Sequence, residues 1–223
     1  MKYSCILIDH DDTTVDSTPS IHYPAHVEQM KRLGKEAELL SLKDWFLINY
    51  SPGIQSYLAD TLGLSPEEQE LCYRIWREYT TRDIPEFFKG ILNLLSEFRS
   101  RGGKIVVVSH SEPDIIESHY EKQTEVPGFF PDRIIGWEGD IEKHKPNPWP
   151  VFSVMDEYGL EKNEILVVDD LKPGIEMAVR AGVDSVAAVW SHGIPAITEG
   201  LSQMSTYTAE SIEGLADILL AGR

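Results

Sequence analysis

Apolar residues fall in two rhythms along this chain. Tyr3 to Ile8, Lys104 to Val108 and Ile165 to Val168 are nearly continuous in aliphatic residues, and each run gives way to polar positions. Runs of this length without alternation suit strands buried on both faces of a parallel sheet. A weaker run covers Arg133 to Ile135, and a fifth, Ser185 to Trp190, ends in the turn-like Ser191, His192 and Gly193. Helical periodicity occupies Gly90 to Arg101, Glu112 to Lys122, Pro148 to Tyr158, Lys172 to Ala181 and Ser211 to Leu220. Strands alternating with helices predict a doubly wound α/β core, in which ligands bind beyond the carboxyl ends of the strands.

Between Thr18 and about Ile84 the strand rhythm disappears. Helical patterns replace it over Tyr23 to Leu33, Leu42 to Asn49, Gly53 to Leu62 and Pro66 to Tyr79. The sequence Ser65, Pro66, Glu67, Glu68 supplies an N-cap, a first-turn proline and early acids for the last of them. Residues 18–84 therefore read as a helical insert launched after the first strand and placed over the strand ends like a lid. Residues 1–17 and 85–223 form the core.

A chain of 223 residues can bury a substantial interior without covalent staples. Cys5 and Cys72 lack the spacing of a metal or redox motif, and the apolar stretch from Cys5 to Ile8 is far too short for a signal-peptide core or a membrane span. A reducing, cytoplasmic setting is expected. The formal net charge of −17 repels nucleic acids and anionic membrane surfaces. It also repels phosphorylated metabolites, so binding one requires a local cation.

Asp9, Asp11 and Asp12, with His10 between them and Thr13 after, close the first strand. Three acids in four residues repel one another unless a divalent ion joins them, and hard oxygen donors suit magnesium. Asp9 and Asp11 could divide the work of nucleophile and proton donor, or the segment could be a solvated acidic turn. Ser109 ends the second strand, Lys145 and Pro146 precede a helix, and Asp169 and Asp170 close another strand. A serine hydroxyl can bond a phosphoryl oxygen, a lysine can neutralise it, and an acidic pair can complete a magnesium shell. Each also has a plain structural role available, as helix cap or surface residue.

Taken together these residues resemble the haloacid dehalogenase superfamily, whose four motifs occur here in order. Asp9, Asp11, Thr13, Asp16 and Ser17 are similar to the first motif, Ser109 to the second, Lys145 with Pro146, Asn147 and Pro148 to the third, and Asp170 to the fourth. The resemblance implies a Rossmann-like core with a helical cap, Asp9 as nucleophile and Asp11 as general acid and base. It implies phosphate binding by Thr13, Ser109, His110 and Lys145, and Mg2+ held by Asp9, the Asp11 main-chain carbonyl and Asp170, with Asp169 beside them. An acid at position 11 marks the phosphatase-like branch. Asp12 stands where the family commonly has glycine, and the family's second acid of the fourth motif falls on Gly174, for which Asp169 is the candidate replacement.

The implied activity is hydrolysis of a small phosphorylated metabolite by a monomer or homodimer, without nucleic-acid or membrane partners. A sugar phosphomutase and an inactive phosphate-binding protein share the same motifs. In the insert, Arg74, Arg77 and Arg82 could meet an anionic tail and Trp45, Tyr50 and Trp76 a ring, or all six could be ordinary lid residues. A zinc site from His10, His110, His144 and His192 has no recognisable ligand spacing.

Overall fold

The computed structural model describes residues 1–221. Six strands form one parallel sheet: β1 (Cys5–Ile8), β2 (Lys104–Val108), β3 (Arg133–Ile135), β4 (Ile165–Asp169), β5 (Asp184–Ala188) and β6 (Tyr207–Ala209). Their spatial order is β3-β2-β1-β4-β5-β6, so the chain builds outward from β1 in one direction and from β4 in the other. The order switches direction between β1 and β4, and folds of this kind bind ligands beyond the carboxyl ends of the strands at that point. In register, Ile8 of β1 lies opposite Val107 of β2 and Val168 of β4, which brings the residues just after these strands to one edge.

Ten α-helices occur among the described residues: α1 (Tyr23–Arg32), α2 (Leu42–Tyr50), α3 (Ile54–Ser56), α4 (Pro66–Arg82), α5 (Ile91–Ser100), α6 (Pro113–Lys122), α7 (Trp149–Tyr158), α8 (Lys172–Ala181), α9 (Pro195–Ser202) and α10 (Ile212–Leu219). Alternate side chains of each strand face opposite ways. Ile6 and Ile8 pack with Leu92 and Phe98 of α5, Ile116 of α6 and Leu215 of α10. Cys5 and Leu7 pack on the other face with Val151 of α7 and Met177 of α8. Both faces of β1 are thus dry, as its unbroken apolar run predicts. Just before β2, Gly103 lets the ring of Phe98 approach so closely that a Cβ there would sit 2.3 Å from it.

The chain forms two compact units, one holding Met1–Val15 and the residues from Phe87 onward, the other Asp16–Glu86. The second is wholly helical among its regular elements. Its longest helix, α4, opens on a reciprocal cap: the Glu68 amide donates to Ser65 Oγ and the Ser65 amide to Glu68 Oε2. Inside this unit Tyr57, Leu58, Leu64 and Cys72 pack together. Trp45 is buried with its ring 4.5 Å from that of His26, Trp76 donates to His22 Nδ1, and Arg82 pairs with Asp83. These three of the insert's candidate contact residues therefore have partners within the unit itself. No helix of the described residues is long and apolar enough to cross a membrane.

Candidate active site

The first functional loop is folded by its own main chain. The Asp9 amide continues the sheet by donating to Val168 O, and the amides of Thr14 and Val15 both donate to His10 O. Thr14 Oγ1 donates to Asp9 O at 2.5 Å. To make the turn, Asp12 adopts φ 58°, the left-handed region that aspartate can enter because its short side chain bonds locally. That conformation accommodates the departure from glycine at this position.

Asp9 after β1, Asp169 at the end of β4 and Asp170 beside it offer carboxylate oxygens that all lie within 4.8 Å of one another. All three are buried, at 6 %, 2 % and 1 % exposure. Lys145, 4 % exposed, reaches into the group: Nζ donates to Asp9 Oδ1 at 2.6 Å and to Asp169 Oδ2 at 2.7 Å. Burial disfavours its ammonium, but Asp169 and Asp9 outweigh that and raise its pKa above the usual lysine value. One cation does not balance three carboxylates. Burial, reinforced by Asp9, Asp12 and Asp169, pushes the Asp170 carboxyl well above the ordinary range. Burial pushes Asp169 up to about 7, with Lys145 opposing and Asp9 adding to the rise. A group of hard oxygen donors short of positive charge fits a divalent cation.

The other expected site residues gather around this group in distinct ways. Thr13 Oγ1 donates to Asp170 Oδ1 at 3.1 Å, so its hydroxyl orients a carboxylate and is already engaged. Ser109 Oγ lies 3.4 Å from Asp11 Oδ2 and accepts from the Ser111 amide. The Asp11 carboxylate stands outside the three-acid group and accepts from Ser111 Oγ at 2.6 Å. His110 bonds the main-chain carbonyl of Lys145, and its ring lies 4.8 Å from that of buried His144. Burial, helped by His110 and Lys145, holds the His144 imidazole down at about 3. His10 Nε2 meets His119 Nδ1 of α6 at 2.9 Å in the core behind the loop. Among the described residues no histidine joins an acid or thiol in a metal-binding group, so the four-histidine zinc set is not assembled.

Ser111, which bonds Asp11, had no role assigned to it from the sequence. Its signal was faint: a second serine two positions after Ser109, on the same turn leading into α6.

Residues 6–188 match the family described as haloacid dehalogenase-like hydrolase. A phosphoglycolate phosphatase of Aquifex aeolicus is 27 % identical over 198 residues, covering 84 % of this chain and 85 % of that protein. A pyrophosphatase, PpaX, of Bacillus mycoides is 25 % identical over 200 residues, covering 86 % of each. Among solved structures, a haloacid dehalogenase-like family hydrolase of Streptococcus pneumoniae superposes with a TM-score of 0.74 at 22 % identity, over 97 % of this chain and 99 % of that one.

Proposed function

The chain belongs to the haloacid dehalogenase-like hydrolases and is a phosphatase of that family, and we propose that it hydrolyses small phosphate esters through an aspartyl-phosphate on Asp9 with Mg2+ as cofactor. The observation that carries the reading is the buried group of Asp9, Asp169 and Asp170 gripping Lys145, with Asp11 held apart from it by Ser111. A nucleophile and a proton carrier must not share one role, and this arrangement gives the two acids different surroundings.

Asp9, Asp170, Asp169 and the Asp11 main-chain carbonyl are the groups that would hold Mg2+. Bound there, the ion would supply positive charge to the phosphoryl oxygens in a chain whose overall charge repels them. A carboxylate oxygen of Asp9 attacks phosphorus, the bond from phosphorus to the leaving oxygen breaks, and Asp11 gives that oxygen its proton. The Asp11 carboxylate then takes a proton from water, whose oxygen attacks the acyl phosphate, releasing inorganic phosphate and restoring Asp9. Lys145 neutralises Asp9 before attack and the transferring group afterwards, while Ser109 and the rim residue His110 offer donors to phosphoryl oxygens.

The test is phosphate release with and without magnesium from an aryl phosphate, 2-phosphoglycolate, pyrophosphate, sugar phosphates and nucleotides. Release should need magnesium and vanish in Asp9→Asn. Persistent turnover in that variant overturns the reading. Conversion of a hexose 1-phosphate to the 6-phosphate without release of phosphate would instead make the chain a mutase, and binding without any turnover would make it a phosphate-binding protein.

A further inference from the structure

Trp190 belongs to none of the four motifs, yet it stands two residues beyond β5, at the carboxyl end of the sheet that also carries Asp9 and Asp170. Its ring packs edge-on against Phe88, with centroids 6.4 Å apart and planes at 79°. Packing alone asks only for a large apolar ring, whereas an indole also carries one donor and no acceptor. Here Nε1 donates to the main-chain oxygen of Thr13 at 3.2 Å, across 177 positions of sequence. The same peptide is held at its other polar atom, because the Thr14 amide donates to His10 O. Its plane is thereby fixed one residue past Asp12, whose left-handed φ of 58° a non-glycine residue keeps only where its surroundings hold it. Threonine is branched at Cβ, so once its backbone is fixed its hydroxyl has few directions to take. That hydroxyl donates to Asp170 Oδ1 at 3.1 Å. Lys145 serves Asp9 and Asp169, whereas Asp170 takes its bond from Thr13.

We infer that Trp190 is a positioning residue for the buried acids: its indole N–H fixes the Thr13 main chain, and the Thr13 hydroxyl then holds the Asp170 carboxylate beside Asp9. The inference rests on the proposed reading of those acids as a metal centre, and it adds to that centre a residue from a strand end that no motif covers. Partners that aim a metal-binding side chain from outside contribute a measurable share of the affinity. The contribution of Trp190 passes through Thr13. Losses at the two positions therefore overlap instead of adding.

The experiment compares the full chain with Trp190→Phe, Thr13→Val and the double variant, using calorimetric titration with magnesium alone and melting of the metal-free proteins. Trp190→Phe keeps an aromatic ring and loses the donor; Thr13→Val keeps the branched shape and loses the hydroxyl. Trp190→Phe should weaken magnesium binding about 3- to 10-fold, the effect of one neutral hydrogen bond. Thr13→Val should weaken it by about tenfold or more. The double variant should bind within about twofold of Thr13→Val. A Trp190→Phe protein that binds magnesium like the parent reduces Trp190 to packing and overturns the inference, as does a double variant whose loss is the product of the single losses. If Thr13→Val does not fold, the indole N–H resonance of Trp190, assigned by its disappearance in Trp190→Phe, decides: it should exchange slowly with solvent and shift on addition of magnesium, and a freely exchanging signal that magnesium leaves in place overturns the inference. A parent chain that binds magnesium but releases no phosphate defeats the proposed function alone. A parent that binds no magnesium defeats that function too, and the metal-free melting temperatures then decide: overlapping losses support the coupling of Trp190 to Thr13, and additive losses overturn it.

Discussion

Replacing Lys145 with methionine keeps the length and most of the volume of the side chain and removes only its ammonium. In the parent that ammonium bonds Asp9 at 2.6 Å and Asp169 at 2.7 Å, with all the participants buried. The variant leaves Asp9, Asp169 and Asp170 facing one another with no protein cation among them. Breaking a buried ion pair by removing one partner costs roughly 3–5 kcal/mol, because the abandoned charge stays desolvated. For a chain of this size that corresponds to a fall of roughly 6–20 °C in melting temperature near neutral pH.

Two conditions should restore part of the loss. Asp169 has a folded pKa raised to about 7 from 3.8, mainly by burial. Between those values the folded state holds more protons than the unfolded one, so stability falls as pH rises and recovers on acidification. Without Lys145 that recovery should grow. Millimolar magnesium should likewise raise the melting point of Lys145→Met more than that of the parent, since the ion replaces the missing charge. Scanning calorimetry of both proteins, metal-free and with magnesium, at neutral and mildly acidic pH, reads each effect. A metal-free variant melting within about 2 °C of the parent at neutral pH would refute the claim that Lys145 offsets these carboxylates.

Ser111→Ala removes the 2.6 Å hydrogen bond that orients Asp11. A bond to a charged group is worth about 1.5–3 kcal/mol, so kcat should drop roughly 10- to 100-fold with KM little changed in steady-state phosphate release; an unchanged kcat removes Ser111 from the mechanism. In the helical unit, burial lowers His26 to about 4 from 6.5, with Gln29 opposing. The folded state there binds fewer protons than the unfolded one below the unfolded value, so stability is lost as pH falls from about 6.5 toward 4. An NMR titration should find the His26 imidazole neutral down to about pH 5, and a midpoint near 6.5 would contradict its burial.

The strands that carry the site were legible because each is an apolar run with a polar stop. The residues past β1, β2 and β4 are Asp9, Ser109 and Asp170, and parallel register brings them to one edge. α8 begins and ends where the sequence places it, at Lys172 and Ala181, with proline near its start and Gly182 after its end. β6 and α9 were not read. Tyr207–Ala209 is three residues long with an exposed centre, and Pro195–Ser202 mixes small and polar residues, so neither has a clear rhythm. Within the site, residue types announced the chemistry but not the partners. That Thr13 bonds Asp170, that Ser111 bonds Asp11, and that His10 meets His119 depend on contacts between positions roughly 100 to 160 apart, which local pattern does not encode.

The central place of β1 also bears on how the molecule is made. The strand leading to Asp9 is the earliest of the six, yet its neighbours on either side are residues 104–108 and 165–169. On a ribosome adding about 5–20 residues each second, its second edge waits roughly ten to thirty seconds for β4 to be synthesised. Throughout that interval a short, wholly apolar segment keeps an unpaired hydrogen-bonding edge, so the order of synthesis delays burial of the strand that carries Asp9.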